Sequence, residues 1–244
     1  MESKQLLCMK WGTLYGAEYV NRLYSMVERN ITGPFRFFCL TDDPTGIRPD
    51  VECLPCPEID LPLPHRNYGW RKVTLWAEDL FGIEGEVLFL DVDLVIMDNI
   101  DCFFEYGDGF VVCRNWTQLD KRIGNTSLYR FTVGSHCELL SNLLENSEQV
   151  LAEYANSQTY ISSNVEKMTF WPDDWCCSFK VHCVPKGIKR WIVEPKPPEN
   201  ARVVAFTGDP NPDAAAAGHW PCPWYKRFYK HVRPSPWITE HWCA

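Results

Sequence analysis

The sequence predicts an α/β fold in which a mostly parallel sheet is covered by helices on both faces. Three observations lead there. Strand-like apolar runs alternate with segments whose apolar residues recur at helical spacing. Two of those runs, "FRFFCLT" and "VLFL", end directly in aspartates. No repeat, low-complexity tract or linker divides the 244 residues, so one domain over residues 1–244 is expected, with an aromatic-rich C-terminal arm at about 214–244.

Taken in order, "KQLLCMKW" reads as the first strand, and "GTLYG" turns the chain into a helix over "AEYVNRLYSMVERN". Val20, Leu23, Tyr24 and Val27 share one face of that helix. "FRFFCLTDD" is the second strand, closed by two aspartates and Pro44. "NYGWRKVTLWAEDLF" sets Trp70, Val73, Ala77 and Leu80 at helical spacing and feeds the strand Val87 to Leu90. "DGFVVCRN" is another strand, and "CELLSNLLENSEQVLAEYANS" a surface helix with Leu139, Leu140, Leu143 and Leu144 inward. "ARVVAFTGDPNP" is a late strand running into a Gly/Pro loop, and the proline-rich stretches at 54–64 and 195–198 are long loops.

Composition narrows the function classes. With 45% hydrophobic and 14% aromatic residues the chain has the makings of a packed core. A net charge of −8 argues against a nucleic-acid partner. The start, "MESKQLLCMKWG", lacks a signal-peptide core, and no apolar run approaches the ~20 residues of a membrane span, so a soluble cytoplasmic protein without a transmembrane segment is expected. The twelve cysteines are then read as reduced, mostly buried small apolar residues. The alternatives are a disulfide framework or a zinc site drawn from Cys53 and Cys56 in "CLPC" and from Cys176, Cys177, His182 and Cys183.

Chemistry concentrates in "EVLFLDVDLVIMDNID". In a parallel sheet, ligands bind at the carboxyl ends of strands, which is where Asp91 and Asp93 stand. A helix cap, a turn or a solvated strand end would also use aspartate. Apolar flanks on both sides put the pair close to a core, where carboxylates need a charge partner. A divalent cation with oxygen ligands, its remaining positions filled by a diphosphate, would supply one.

"FLDVDLVIMDNID" resembles the Asp-x-Asp signature of nucleotide-sugar glycosyltransferases with the GT-A (Rossmann-like) fold, most like family 8, the glycogenin and galactosyltransferase group. "RKVTLW", "GNTSLYRF" and "VVAFTGDPNP" resemble further elements of that family. The resemblance implies a transferase that moves a sugar from a nucleoside-diphosphate sugar, UDP-linked, to an acceptor hydroxyl, metal-dependent and retaining. It implies Lys10, Trp11, Gly12, Thr13 and Tyr15 beside the nucleoside, with Asp42 near the base or ribose. It also implies Lys72 on the donor phosphates or sugar, Asp91 and Asp93 on manganese or magnesium, and Asn125, Thr126 and Ser127 on the donor sugar. Gly208 would let the backbone approach the diphosphate. The acceptor is open: a glycan, a lipid-linked saccharide or a protein.

Two departures stand out. The family's late metal histidine falls at Ala205 or Thr207, leaving His219 in "AAAAGHWP" as a substitute ligand. The family's Asp-Gln pair falls at Ser157 and Gln158, which lacks the carboxylate. They keep a second class in play, a catalytically weak or inactive nucleotide-sugar-binding or carbohydrate-binding module. The C-terminal arm, aromatic and basic, reads as a packed terminal helix, a sugar-stacking acceptor platform or a peripheral contact with an anionic membrane.

Overall fold

The computed structural model describes residues 3–244, apart from the side chain of Asn67. The polar lead at Met1 and Glu2 lies outside the described residues. The chain runs β1 (Lys4–Lys10), α1 (Ala17–Asn30), β2 (Phe35–Thr41), β3 (Glu52–Pro55) and a 3-10 turn over Gly69–Trp76. It continues through β4 (Glu86–Leu90), β5 (Val95–Ile96), α2 (Cys102–Glu105), β6 (Phe110–Arg114) and β7 (Gly124–Thr132). Next come α3 (Glu138–Glu145), α4 (Ser147–Glu153), α5 (Ser157–Asn164), β8 (Met168–Phe170) and β9 (Cys176–Ser178). β10 (Val203–Ala205), α6 (Pro212–Ala216) and α7 (Pro236–His241) complete it.

Seven strands form the central sheet in the order β3-β2-β1-β4-β7-β6-β8. β1 pairs parallel with β2 and β4, β2 with β3 and β6 with β8, while β7 runs antiparallel between β4 and β6. The sheet is therefore mostly parallel, as expected. A second sheet, β5-β10-β9, packs under it. Alternation along each strand divides the core in two. Leu88 and Leu90 of β4 join Leu6, Cys8, the α1 face and the small sheet, while Val87 and Phe89 join Leu7, Trp76, Tyr129 and Leu139 on the opposite face.

Several elements differ from expectation. The segment 67–81 is not one α-helix: after the 3-10 turn, Ala77 is extended and Phe81 takes a positive φ of 55°. The helix expected over 137–157 breaks twice, at Asn146, whose side chain donates to Asn142 Oδ1 at 3.0 Å, and before Asn156. Asn146 separates α3 from α4, and Asn156 caps α5 by accepting from the Thr159 N–H at 3.0 Å. "GNTSLYRF" is the start of a long strand. Its Gly124 is required because a Cβ there would lie 2.7 Å from Cγ1 of Val112. The late strand shrinks to Val203–Ala205 and belongs to the small sheet.

Half of the C-terminal arm behaves as a packed terminal helix. Trp242 is buried against the Tyr19 ring at 5.0 Å, and the Arg29 guanidinium donates to the His241 carbonyl at 2.8 Å. The other half does not, since Trp224, Tyr225, Phe228 and Tyr229 face solvent. All twelve cysteines are free, and six of them, Cys8, Cys39, Cys113, Cys176, Cys177 and Cys183, are buried. Among the described residues no helix is long and apolar enough to cross a membrane.

Trp76 is fully buried and meets Phe110, Phe131 and Tyr129 with ring centroids 5.0 to 6.0 Å away. It joins the Lys72 turn to β6 and β7. Trp76→Ala is expected to destabilise the protein by about 3–5 kcal/mol, read as a lowered urea midpoint.

Candidate functional site

β4 is buried on both faces, so the chain emerging from it carries its first polar side chains into a cleft at the strand's carboxyl end. Asp91 is held there by its backbone N–H, which donates to the Ser127 carbonyl at 2.8 Å. Lys72 reaches the same place from the 3-10 turn, and its ammonium lies 2.5 Å from Asp91 Oδ1. Asp93 is more buried, 6% exposed. Its Oδ2 accepts from the Tyr15 hydroxyl at 2.8 Å, which brings in the turn between β1 and α1.

The cleft has a volume of about 860 Å³. Lys10 to Tyr15 form one wall, Asn125, Thr126 and Ser127 of β7 the floor beyond Asp91, Tyr68, Gly69 and Asn156 to Gln158 the opposite wall, and Phe206 to Gly208 the remaining side. Asp91 and Asp93 are the only carboxylates lining it among the described residues.

Solved structures share this fold. The galactosyltransferase LgtC, crystallised with donor and acceptor sugar analogs, superposes with a TM-score of 0.59 at 11% identity, covering 85% of this chain and 88% of LgtC. The bifunctional glycosyltransferase WbbM gives 0.60 at 12% identity, over 98% of this chain and 51% of WbbM. The glycosyltransferase GlyE of Streptococcus pneumoniae gives 0.51 at 12%, over 71% of this chain and 47% of GlyE. The fold is that of the GT-A glycosyltransferases. No protein-family model and no curated protein sequence matches the chain.

Of the residues singled out from the sequence, the GT-A cleft gathers Lys10, Trp11, Gly12, Thr13, Tyr15, Lys72, Asp91, Asp93, Asn125, Thr126, Ser127, Gln158 and Gly208. Gly208 has a φ of +70°, a conformation that a side chain would strain. Asp42 and His219 do not line it. Asp42 supports the wall from behind, accepting from the Gly12 N–H at 2.8 Å. His219 is exposed, and its backbone N–H donates to the Ala214 carbonyl at 2.7 Å. Lys10 is buried, with its ammonium 3.3 Å from the Asp43 carbonyl.

Ser157, standing where a carboxylate was expected, donates to the Gly69 carbonyl at 2.9 Å and ties α5 to the Lys72 turn. Sequence reading missed Lys180. It sits on a π-helical turn, Phe179–Cys183, and its half-buried ammonium donates to the Thr207 carbonyl at the cleft rim. Nothing in "SFKVHC" distinguishes it from a surface lysine.

The charge balance is uneven. Burial, then the neighbouring Asp91 carboxylate, push the Asp93 carboxyl up to about 7, against the lowering effect of Tyr15 and Lys72. Burial, then Asp93, raise the Tyr15 phenol, which stays a donor. The cleft thus holds one acid salt-bridged to lysine and one, Asp93, that feels Lys72 and Lys180 only at longer range and makes no salt bridge among the described residues. Among the described residues no group of three or more His, Cys, Asp and Glu side chains is placed to share a metal ion, and this holds for the zinc alternative too.

A consequence for stability follows. With Asp93 raised well above its ordinary range, the folded protein binds a proton that the unfolded chain releases between about pH 4 and pH 7. Stability without divalent cations should therefore fall as pH rises through that window. Asp93→Asn should flatten the decline. Thermal melts at a series of pH values, in buffer with chelator, read both.

Proposed function

We propose that the chain transfers a sugar from a nucleoside-diphosphate sugar, UDP-linked, to an acceptor hydroxyl. One observation supports this most: an acid pair at the carboxyl end of β4 whose first member, Asp91, is salt-bridged to Lys72 and whose second, the buried Asp93, makes no salt bridge among the described residues. Two carboxylates offering hard oxygen ligands suit magnesium or manganese, which are commonly held by one or two carboxylates with substrate phosphates and water filling the other positions. Asp91 and Asp93 would hold the ion. When bound, it would neutralise the negative charge that grows on the departing diphosphate.

The remaining steps fall to the chain's own groups. Tyr15 fixes the Asp93 carboxylate by hydrogen bonding, while Lys72 holds Asp91 and adds positive charge where the diphosphate would lie. Trp11 and Thr13 border the nucleoside. Asn125 is already oriented, its side-chain oxygen accepting from the Ser127 N–H at 3.0 Å, and its amide nitrogen would donate to the sugar hydroxyls. Gln158 would contact the sugar from the opposite wall, and Gly208 would allow the backbone to approach the diphosphate.

The cleft's two carboxylates are committed to this end of the donor. Among the described residues no other carboxylate lines the cleft to deprotonate an acceptor attacking from the far face. That favours attack on the face the diphosphate leaves: the anomeric carbon–diphosphate oxygen bond breaks, the acceptor oxygen bonds to the same face, and its proton passes to the diphosphate. The configuration is retained.

A second reading is a binding module without turnover, favoured by Ser157 in a purely bridging role and by Ala205 and Thr207 where a metal histidine would stand. Release of UDP from a panel of UDP-sugars in the presence of manganese separates the two. The proposal expects slow hydrolysis without acceptor, lowered about 100-fold in Lys72→Ala, as for loss of one preorganised charge-stabilising group. Donor binding without any UDP release would favour the module.

A further inference from the structure

Nine of the sixteen large apolar side chains exposed among the described residues lie in two short stretches, 181–193 and 224–229. Phe228 is 83% exposed, Trp224 and Ile188 80%, and Ile192 69%. Such concentration is unusual on a soluble surface, where exposed apolar residues are normally scattered singly. The two stretches form one face. The Trp191 ring stacks on His231 at 3.8 Å between centroids, and Arg190 and Arg233 both act on that histidine.

The charge of this face opposes that of the protein. Lys180, Lys186, Lys189 and Arg190 lie in residues 180–193, and Lys226, Arg227, Lys230 and Arg233 in residues 219–233. Neither stretch contains a single Asp or Glu, in a chain whose net charge is −8. Exposed aromatic and aliphatic side chains set among lysines and arginines are the chemistry of an interfacial anchor, in which rings enter the headgroup boundary and cations meet lipid phosphates.

We propose that this face docks on an anionic lipid bilayer. It adjoins the cleft: Lys180, which donates to the rim carbonyl of Thr207, also lies close enough to Lys230 for the two ammonium charges to repel. Docking would hold the cleft mouth beside the membrane, where an acceptor carried on lipid would be presented. The surface is separate from the acid pair, so the inference stands whether or not the cleft transfers sugar.

The test is co-sedimentation of the full chain with vesicles of phosphatidylcholine alone and of phosphatidylcholine mixed with phosphatidylglycerol. Binding is expected only with the anionic lipid and should weaken as salt is raised. Lys226→Glu combined with Lys230→Glu, and separately Trp224→Ala combined with Phe228→Ala, should each lower partitioning at least about tenfold. Lys121→Glu with Lys167→Glu makes the same change in net charge on exposed residues elsewhere and should leave partitioning intact. Circular dichroism melts confirm that each variant folds. Failure to bind anionic vesicles, equal binding to both vesicle types, or an equal loss in the Lys121 and Lys167 control would overturn the proposal. So would an acidic protein or a soluble glycan binding this face while vesicles do not.

Discussion

The arrangement of this protein turns on a charge problem: two carboxylates, one residue apart, at the end of a strand buried on both faces. Burying one such group unpaired is costly, and burying two side by side raises the cost. The fold meets it from two directions. Parallel pairing of β1 with β4 brings the turn after β1, and with it the Tyr15 hydroxyl, to Asp93. Packing of the 3-10 turn through Trp70 and Trp76 sets Lys72 against Asp91. What remains is a buried carboxyl, Asp93, whose charged form is disfavoured by burial and by Asp91 and which lines a cleft of about 860 Å³.

That carboxyl links structure to chemistry. A site that satisfied every charge internally would have no reason to take up a cation or a diphosphate. Here the second carboxylate makes no salt bridge among the described residues, which is why the proposal assigns it to a ligand, while Lys72 already stands beside Asp91. Around the pair, the support is hydrogen-bonded rather than loose: Asp42 holds the Gly12 turn, Ser157 ties α5 to the Lys72 turn, and Asn125 is oriented through Ser127. Preorganisation of this kind lets groups act on developing charge without first rearranging.

Much of this was legible in the residues, and the reasons are physical. The strand–aspartate junction is a local pattern, and the apolar flanks alone require a partner for Asp91 and Asp93. The α/β class followed from alternating periodicities that survive without tertiary knowledge. The 67–81 segment and the 137–157 segment misled because their apolar spacing fits a long helix, while the breaks lie in single residues, Ala77, Asn146 and Asn156, whose backbone is set by packing and capping. β7 was hidden because "GNTS" has turn composition, and only its neighbours β4 and β6 make it a strand. Lys180 and the Tyr15–Asp93 bond depend on contacts between residues far apart in sequence, and no local pattern announces them. The C-terminal arm was read as one unit, yet it divides into a packed helix and an exposed basic aromatic face.

Calorimetric titration with UDP, with and without manganese, on the natural chain and on Asp93→Ala tests the central claim most directly. The account predicts binding that requires the cation and is lost in the variant, because Asp93 is the carboxylate that the ligand completes. Binding of UDP with equal affinity to both proteins, indifferent to manganese, would contradict it and leave the acid pair as a strand-end feature without a ligand.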